Sequence, residues 1–182
     1  MNKMIKLPLF LGICGAACAG ILAGVNALTA PIIEQAKIDA ANAAYIETYK
    51  EFGVTSDHIK IEEVEIYAAN CTTRAVIVND KVKGVAYTCS AKGYGGTISF
   101  QVAFANGKYL GYTDLGNSET PSYGGVVIGK MSSLINGIDA NESLLNNSGY
   151  ASAIAGQSIT GKAIANAVDA CRTDYLAWYS AQ

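Results

Sequence analysis

The 182-residue chain predicts an α+β protein, with one transmembrane helix at the N-terminus followed by an antiparallel-sheet domain with flanking helices. Three observations carry this. The stretch from Leu7 to Ile33 contains no charged residue. The middle of the chain alternates apolar and polar residues in short runs parted by turn residues. The final stretch sets Ile164, Val168, Cys171, Tyr175 and Trp178 at helical spacing, one apolar stripe.

The first element, "LFLGICGAACAGILAGVNALTAPII", has the length of a membrane span. Lys3 and Lys6 precede it and Glu34 is the first charge after it. Positive residues stay on the cytoplasmic side, so the N-terminus is expected inside and residues 34–182 outside. A cleaved signal peptide is the competing reading, but the apolar run is long for one, and its small-residue sites at "GAACAG" lie mid-run. A lipid-modified cysteine is disfavoured: Cys18 has Gly15 three places before it, and Cys14 follows bulky Ile13. Gly20 and Gly24 form a small-residue pair that permits close approach of another helix.

After Pro31 an alanine-rich pattern reads as a helix ending at Gly53. Strands follow in "IKIEEVEIY", "TTRAVIV" and "VKGVAYTC", the last two joined by a turn at "NDK". "GTISFQVAFA" then meets "KYLGYTDL" across Asn106-Gly107, a favoured two-residue hairpin turn. The loop "GNSETPSYGG" leads into a helix over 126–135, and a second loop, "GIDANESLLNNSGY", precedes the last helix. The expected organisation is 1–33 as cytoplasmic N-terminus and anchor, 34–56 as a linker helix, and 57–182 as the domain.

Several function classes fall away. Without Lys3 and Lys6 the formal charge of −2 becomes −4, and no basic stripe with aromatics appears, so nucleic acid is not an expected partner. His58 is the sole histidine and there is no C-x-x-C, so no metal site is expected. With "NDK" centred on its turn, Cys71 falls opposite Cys89, a possible disulfide in an oxidising compartment; two buried thiols are the alternative. Cys14 and Cys18 read as small apolar residues of the span.

Two glycine clusters, "KGYGGTI" and "SETPSYGG", allow backbone N–H groups to approach an anion. Neither fits a P-loop or a dinucleotide fingerprint, and each singly is weak, since glycines in turns are usually only turns. Before the last helix, "GQSITG" places Ser158 and Thr160 where a helix cap or a phosphate site would be.

The order "GYGGTI", hairpin, "ETPSYGG", then a Gly-x-hydroxyl turn opening the last helix resembles the FMN-binding domain of the Rnf G subunit and the Nqr C subunit. The likeness extends to "ALTAPIIE" after the span. It implies a membrane-anchored flavoprotein that relays electrons in an ion-translocating complex, beside other integral-membrane subunits. FMN would be attached by a flavin transferase through its phosphate to a hydroxyl, here Ser158, with Thr160 as the fallback. Tyr94, Gly95, Gly96, Glu119, Thr120, Pro121, Gly156, Gln157 and Thr160 would surround the cofactor.

The family turn S-G-A-T-x-T-S is altered here: Gln157 replaces alanine, Ser158 replaces threonine, and Ser152 stands where aspartate is usual. Two rivals remain in view. One is a stand-alone extracytoplasmic flavin reductase or electron shuttle. The other is a pilin-like surface protein without flavin, although a pilin's short leader and early helix glutamate are absent.

Overall fold

The computed structural model describes the backbone of residues 3–182 and the side chains of residues 10–32 and 43–182. The chain divides into two compact units, Met1–Asn42 and Ala43–Gln182.

Helix α1 spans Lys3–Thr48. Within it, Phe10–Ile32 is a candidate span of 23 residues with mean hydropathy 1.9 and nothing in it buried. Phe10, Leu11, Leu22 and Leu28 all present their side chains outward. At about 1.5 Å per residue such a helix exceeds the ~30 Å hydrocarbon thickness of a bilayer, and its apolar surface on every side suits lipid. Lys3 and Lys6, on which the orientation argument rests, lie outside the side chains described. Cys14 and Cys18 are exposed thiols in the span.

In the second unit, β1 (Ile59–Ile66), β2 (Cys71–Val78), β3 (Lys83–Lys92), β4 (Thr97–Ala105) and β5 (Lys108–Asn117) form one antiparallel sheet in chain order. Alternation decides the faces. Val85, Tyr87 and Cys89 of β3 and Ile98, Phe100, Val102 and Phe104 of β4 all enter one core cluster. Helices α2 (Gly124–Ile135) and α4 (Ser158–Ser180) pack on that sheet, and a short α3 (Ser148–Ala153) joins them. Tyr175 of α4 stacks on Phe104 with ring centroids 4.8 Å apart.

The last turn of α1, with Tyr49 just after it, meets positions of opposite parity on the sheet. Tyr45 Oη lies 2.7 Å from Thr88 Oγ1, and the Tyr49 hydroxyl donates to the Phe104 carbonyl at 2.7 Å. A Cβ at Gly84 would come within 2.6 Å of the Tyr49 ring, which is why that strand position has no side chain. The α-helix stops at Thr48, short of the Gly53 end expected for it; a separate 3-10 turn over Lys50–Phe52 follows, and Gly53 at φ 69 ends that.

The Asn106-Gly107 hairpin has φ 50 and 80, the positive pair that its turn requires. The β2–β3 turn corrects an expectation. It is the four-residue Asn79–Val82, closed by Asn79 N–H donating to the Val82 carbonyl at 3.0 Å. Arg74 therefore faces Tyr87, and the register is one place out from that which set Cys71 against Cys89. Cys71 pairs with Ile66 on β1, and Cys71, Cys89 and Cys171 are all free thiols. One added turn residue moves every partner, because side chains alternate with period two. The loop preceding α4 also contains a helical turn that periodicity did not predict: α3, whose Asn147 side chain accepts from Tyr150 N–H at 2.8 Å.

Candidate functional site

Beyond β3 the chain turns at Gly93–Gly96, closed by Gly93 N–H donating to the Gly96 carbonyl at 2.8 Å. Against this turn lies Glu119, only 8 % exposed. Its carboxylate accepts from Gly95 N–H at 2.8 Å and from the Thr160 hydroxyl at 3.0 Å. Thr160 Oγ1 in turn accepts from Tyr94 N–H at 3.4 Å. Glu119 thus joins three segments far apart in sequence: the glycine turn, the "ETPSYGG" loop and the first turn of α4.

The glycines here serve the carboxylate and the backbone. A Cβ on Gly93 or on Gly124 would overlap the Glu119 carboxylate, so both must be bare for it to sit there. A Cβ on Gly95 would stand 2.6 Å from the Ser118 carbonyl oxygen. Gly95 and Gly96 therefore lie against Ser118, which lets the two loops touch, and neither lines the adjoining cavity.

That cavity holds about 530 Å³ and is lined by Tyr94, Glu119, Thr120, Tyr123, Gly124 and the run Gly156–Thr160. Of the sequence-predicted site residues, Tyr94, Glu119, Thr120, Gly156, Gln157, Ser158 and Thr160 meet there; Gly95, Gly96 and exposed Pro121 do not line it. Tyr123, Gly124 and Ile159 line it without having been singled out. A signal for Ile159 was present. Thr160 lies four residues before Ile164 on the buried stripe of α4, whereas Ser158 and Ile159 fall off it and are exposed.

At the start of α4, Gln157 occupies the cap position and no side chain caps the helix. Ser158 is its first residue, so the capping role considered for the two hydroxyls is filled by neither. The N–H groups of the first turn have no intrahelical acceptor, and the helix dipole adds positive potential beside the cavity. Tyr94 is 79 % exposed and Tyr123 65 %, leaving aromatic faces uncovered at the rim.

These features suit a flavin mononucleotide. The volume falls in the range of about 300–1,000 Å³ usual for small-molecule sites. The uncapped helix start suits a phosphate, and the exposed aromatic and aliphatic side chains offer a surface for a planar ring. Comparison with known families decides the matter. An FMN-binding domain model matches residues 93–173, and an RnfG N-terminal region model matches residues 1–47.

The chain belongs to the FMN-binding, RnfG-type family.

No curated protein matches the chain. The match to the FMN-binding domain begins at Gly93, where the glycine turn starts, and includes every residue lining the cavity. Strands β1 to β3 lie outside both matched stretches. FMN is the cofactor of this RnfG-type protein, and its work is electron transfer in association with a membrane.

Proposed function

We propose that the protein is the anchored flavin subunit of an ion-translocating electron-transport complex, holding FMN through a phosphoester on Ser158. Residues 1–33 anchor it, 34–56 join anchor to domain, and 57–182 carry the flavin. A flavin transferase installs the cofactor, and other integral-membrane subunits exchange electrons with it. Lys3 and Lys6 support a cytoplasmic N-terminus with the domain on the extracytoplasmic face.

One observation carries the choice of oxygen. Ser158 is exposed on the cavity wall, and among the described residues its hydroxyl has no hydrogen-bond partner. The Thr160 hydroxyl is 2 % exposed and already donates to Glu119. A phosphate on Ser158 would meet the unpaired N–H groups opening α4. Thr120 and Gln157 line the wall beside it, while Tyr94, Tyr123 and Ile159 cover the flavin's apolar area and keep water from it. When bound, FMN supplies one- and two-electron transfer; the protein supplies position and electrostatics.

Intact-mass measurement on protein co-produced with a flavin transferase tests this reading. The native chain is expected to gain one FMN phosphoester, Ser158→Ala to lose it, and Thr160→Ala to keep it. Retention in Ser158→Ala would overturn the assignment. Tightly bound flavin without added mass would replace the covalent reading by a non-covalent one, with Gln157 and Ser152 as the departures that remove transferase recognition. Protease added to intact cells is expected to digest the domain; digestion only after lysis would overturn the orientation.

A further inference from the structure

Three cysteines from distant parts of the chain meet inside the second unit. Cys71 begins β2, Cys89 lies in β3 and Cys171 in α4, and they are 2 %, 3 % and 0 % exposed. The Cys89 and Cys171 sulfurs are 3.3 Å apart although the residues are 82 positions apart in sequence. The Cys71 thiol donates to the Thr73 carbonyl at 3.1 Å, within its own strand, and is also a hydrogen-bonding neighbour of both other thiols.

We propose that Cys89 and Cys171 are the site of a disulfide that clamps α4 to β3, with Cys71 left as a thiol beside it. The sulfurs need to close from their present contact to the ~2.05 Å of a bond, which rotation about the side-chain torsions accomplishes. The reaction is thiol–disulfide exchange with a disulfide-donating protein or small molecule. The sulfur–sulfur bond of the donor breaks, the Cys89–Cys171 bond forms, and both thiol protons end on the two donor sulfurs.

The bridge has a structural consequence for the flavin site. β3 runs directly into the Gly93–Gly96 turn that presents Tyr94, and α4 opens with Ser158. A bond between these two elements ties together the strand and the helix that lead to parts of the cavity wall, beside the hydrogen bonds of Glu119 and Thr160 that join them at the site. Timing follows from burial. In the folded protein the hydrogen bond to Cys171, then the one to Cys71 and burial, push the Cys89 thiol up. The hydrogen bond to Cys71, ahead of burial, pushes Cys171 up. The hydrogen bonds with Cys171 and then Cys89 hold the neighbouring Cys71 down at about 4. All three sulfurs are buried once packed, out of reach of a donor, so the bond forms as α4 docks.

The expectation of an oxidant in the cell rests on the extracytoplasmic placement proposed above; the pairing does not. Purified full-length protein is refolded with oxidised glutathione, and free thiols are alkylated in denaturant. Intact mass is then expected to show three alkyl groups, on Cys14, Cys18 and Cys71, where the reduced protein takes five, with a proteolytic peptide joining Cys89 to Cys171. Cys71→Ser is expected to keep the bridge, whereas Cys171→Ser loses it and melts at a lower temperature than the oxidised native protein. A Cys71–Cys89 peptide, or alkylation of all three under oxidising refolding, would overturn the pairing. Alkylation of intact cells is read separately. A bridge that forms in vitro while the cellular protein stays reduced would overturn the placement and leave the pairing standing.

Discussion

Two carboxylates tie loops onto α4, and their surroundings differ. Asp169, in mid-helix, accepts from Leu144 N–H at 3.0 Å and from the Ser143 hydroxyl at 2.5 Å, and forms an ion pair with Arg172 at 3.3 Å. Burial, then the charge of Asp169, pushes the neighbouring Tyr109 hydroxyl up, so that it stays a donor. Glu119, which lies against the first turn of the helix, accepts from Gly95 N–H and the Thr160 hydroxyl, and among the described residues its hydrogen-bond partners are neutral. The Asp169 side chain is 13 % exposed, and its partners include Arg172 and the donors of one loop. Glu119 opens on a cavity of about 530 Å³. A carboxylate that pairs with a cation and with the donors of one loop organises that loop; one in a glycine cage at the mouth of a cavity organises a site.

The contrast breaks or sharpens under substitution. Removing Glu119 has the largest expected effect. Glu119→Ala removes the acceptor of the Gly95 N–H and of the buried Thr160 hydroxyl, and is expected to cost about 3 kcal/mol in urea unfolding and to abolish flavin binding in the molecules that fold. Asp169→Asn keeps one acceptor oxygen but loses the ion pair with Arg172, and is expected to cost about 2 kcal/mol. Its flavin-to-protein absorbance ratio should equal that of the native chain. Equal flavin loss in both variants would erase the distinction between the two carboxylates.

A smaller effect separates the two hydroxyls. Thr160→Val removes a donor to Glu119 and is expected to cost about 1 kcal/mol. Ser158→Ala is expected to fall within about 0.5 kcal/mol of the native stability in the same assay, because the exposed hydroxyl neither caps the helix nor pairs elsewhere. A penalty for Ser158→Ala as large as that for Thr160→Val would mean that Ser158 holds structure after all.

The smallest effect belongs to a carboxylate remote from both. The hydrogen bond from Lys60, and after it that from Arg74, holds the Glu62 carboxyl below its usual range. Its folded-state pKa being depressed, it stabilises above the unfolded value of about 4.3 and loses that contribution as pH falls through the folded value. Glu62→Gln should make acid unfolding less steep by about 0.3 kcal/mol, as befits a solvent-accessible pair. A larger change would place β1 among the structurally critical strands.

The strands, the Asn106-Gly107 turn and the apolar stripe of α4 were legible because each depends on residues close in sequence, through a period of two, a positive-φ dipeptide and a period near four. The charge-free span was legible for a similar reason, since length and composition alone decide it. Tertiary structure alone decided the rest. The true β2–β3 register needed the fourth turn residue, Val82, which takes Cys71 out of the position directly across from Cys89, while α4 brings Cys171 to 3.3 Å from Cys89. The likeness to a family marked Gly95 and Glu119 as cofactor neighbours. In three dimensions Gly95 is bare because Ser118 touches it, and Gly93 and Gly124 are bare because Glu119 lies between them. Short-range pattern thus determined which elements exist, because backbone geometry repeats locally. Which carboxylate meets which amide, and which hydroxyl remains free, followed from contacts between segments dozens of residues apart, and no local period encodes those.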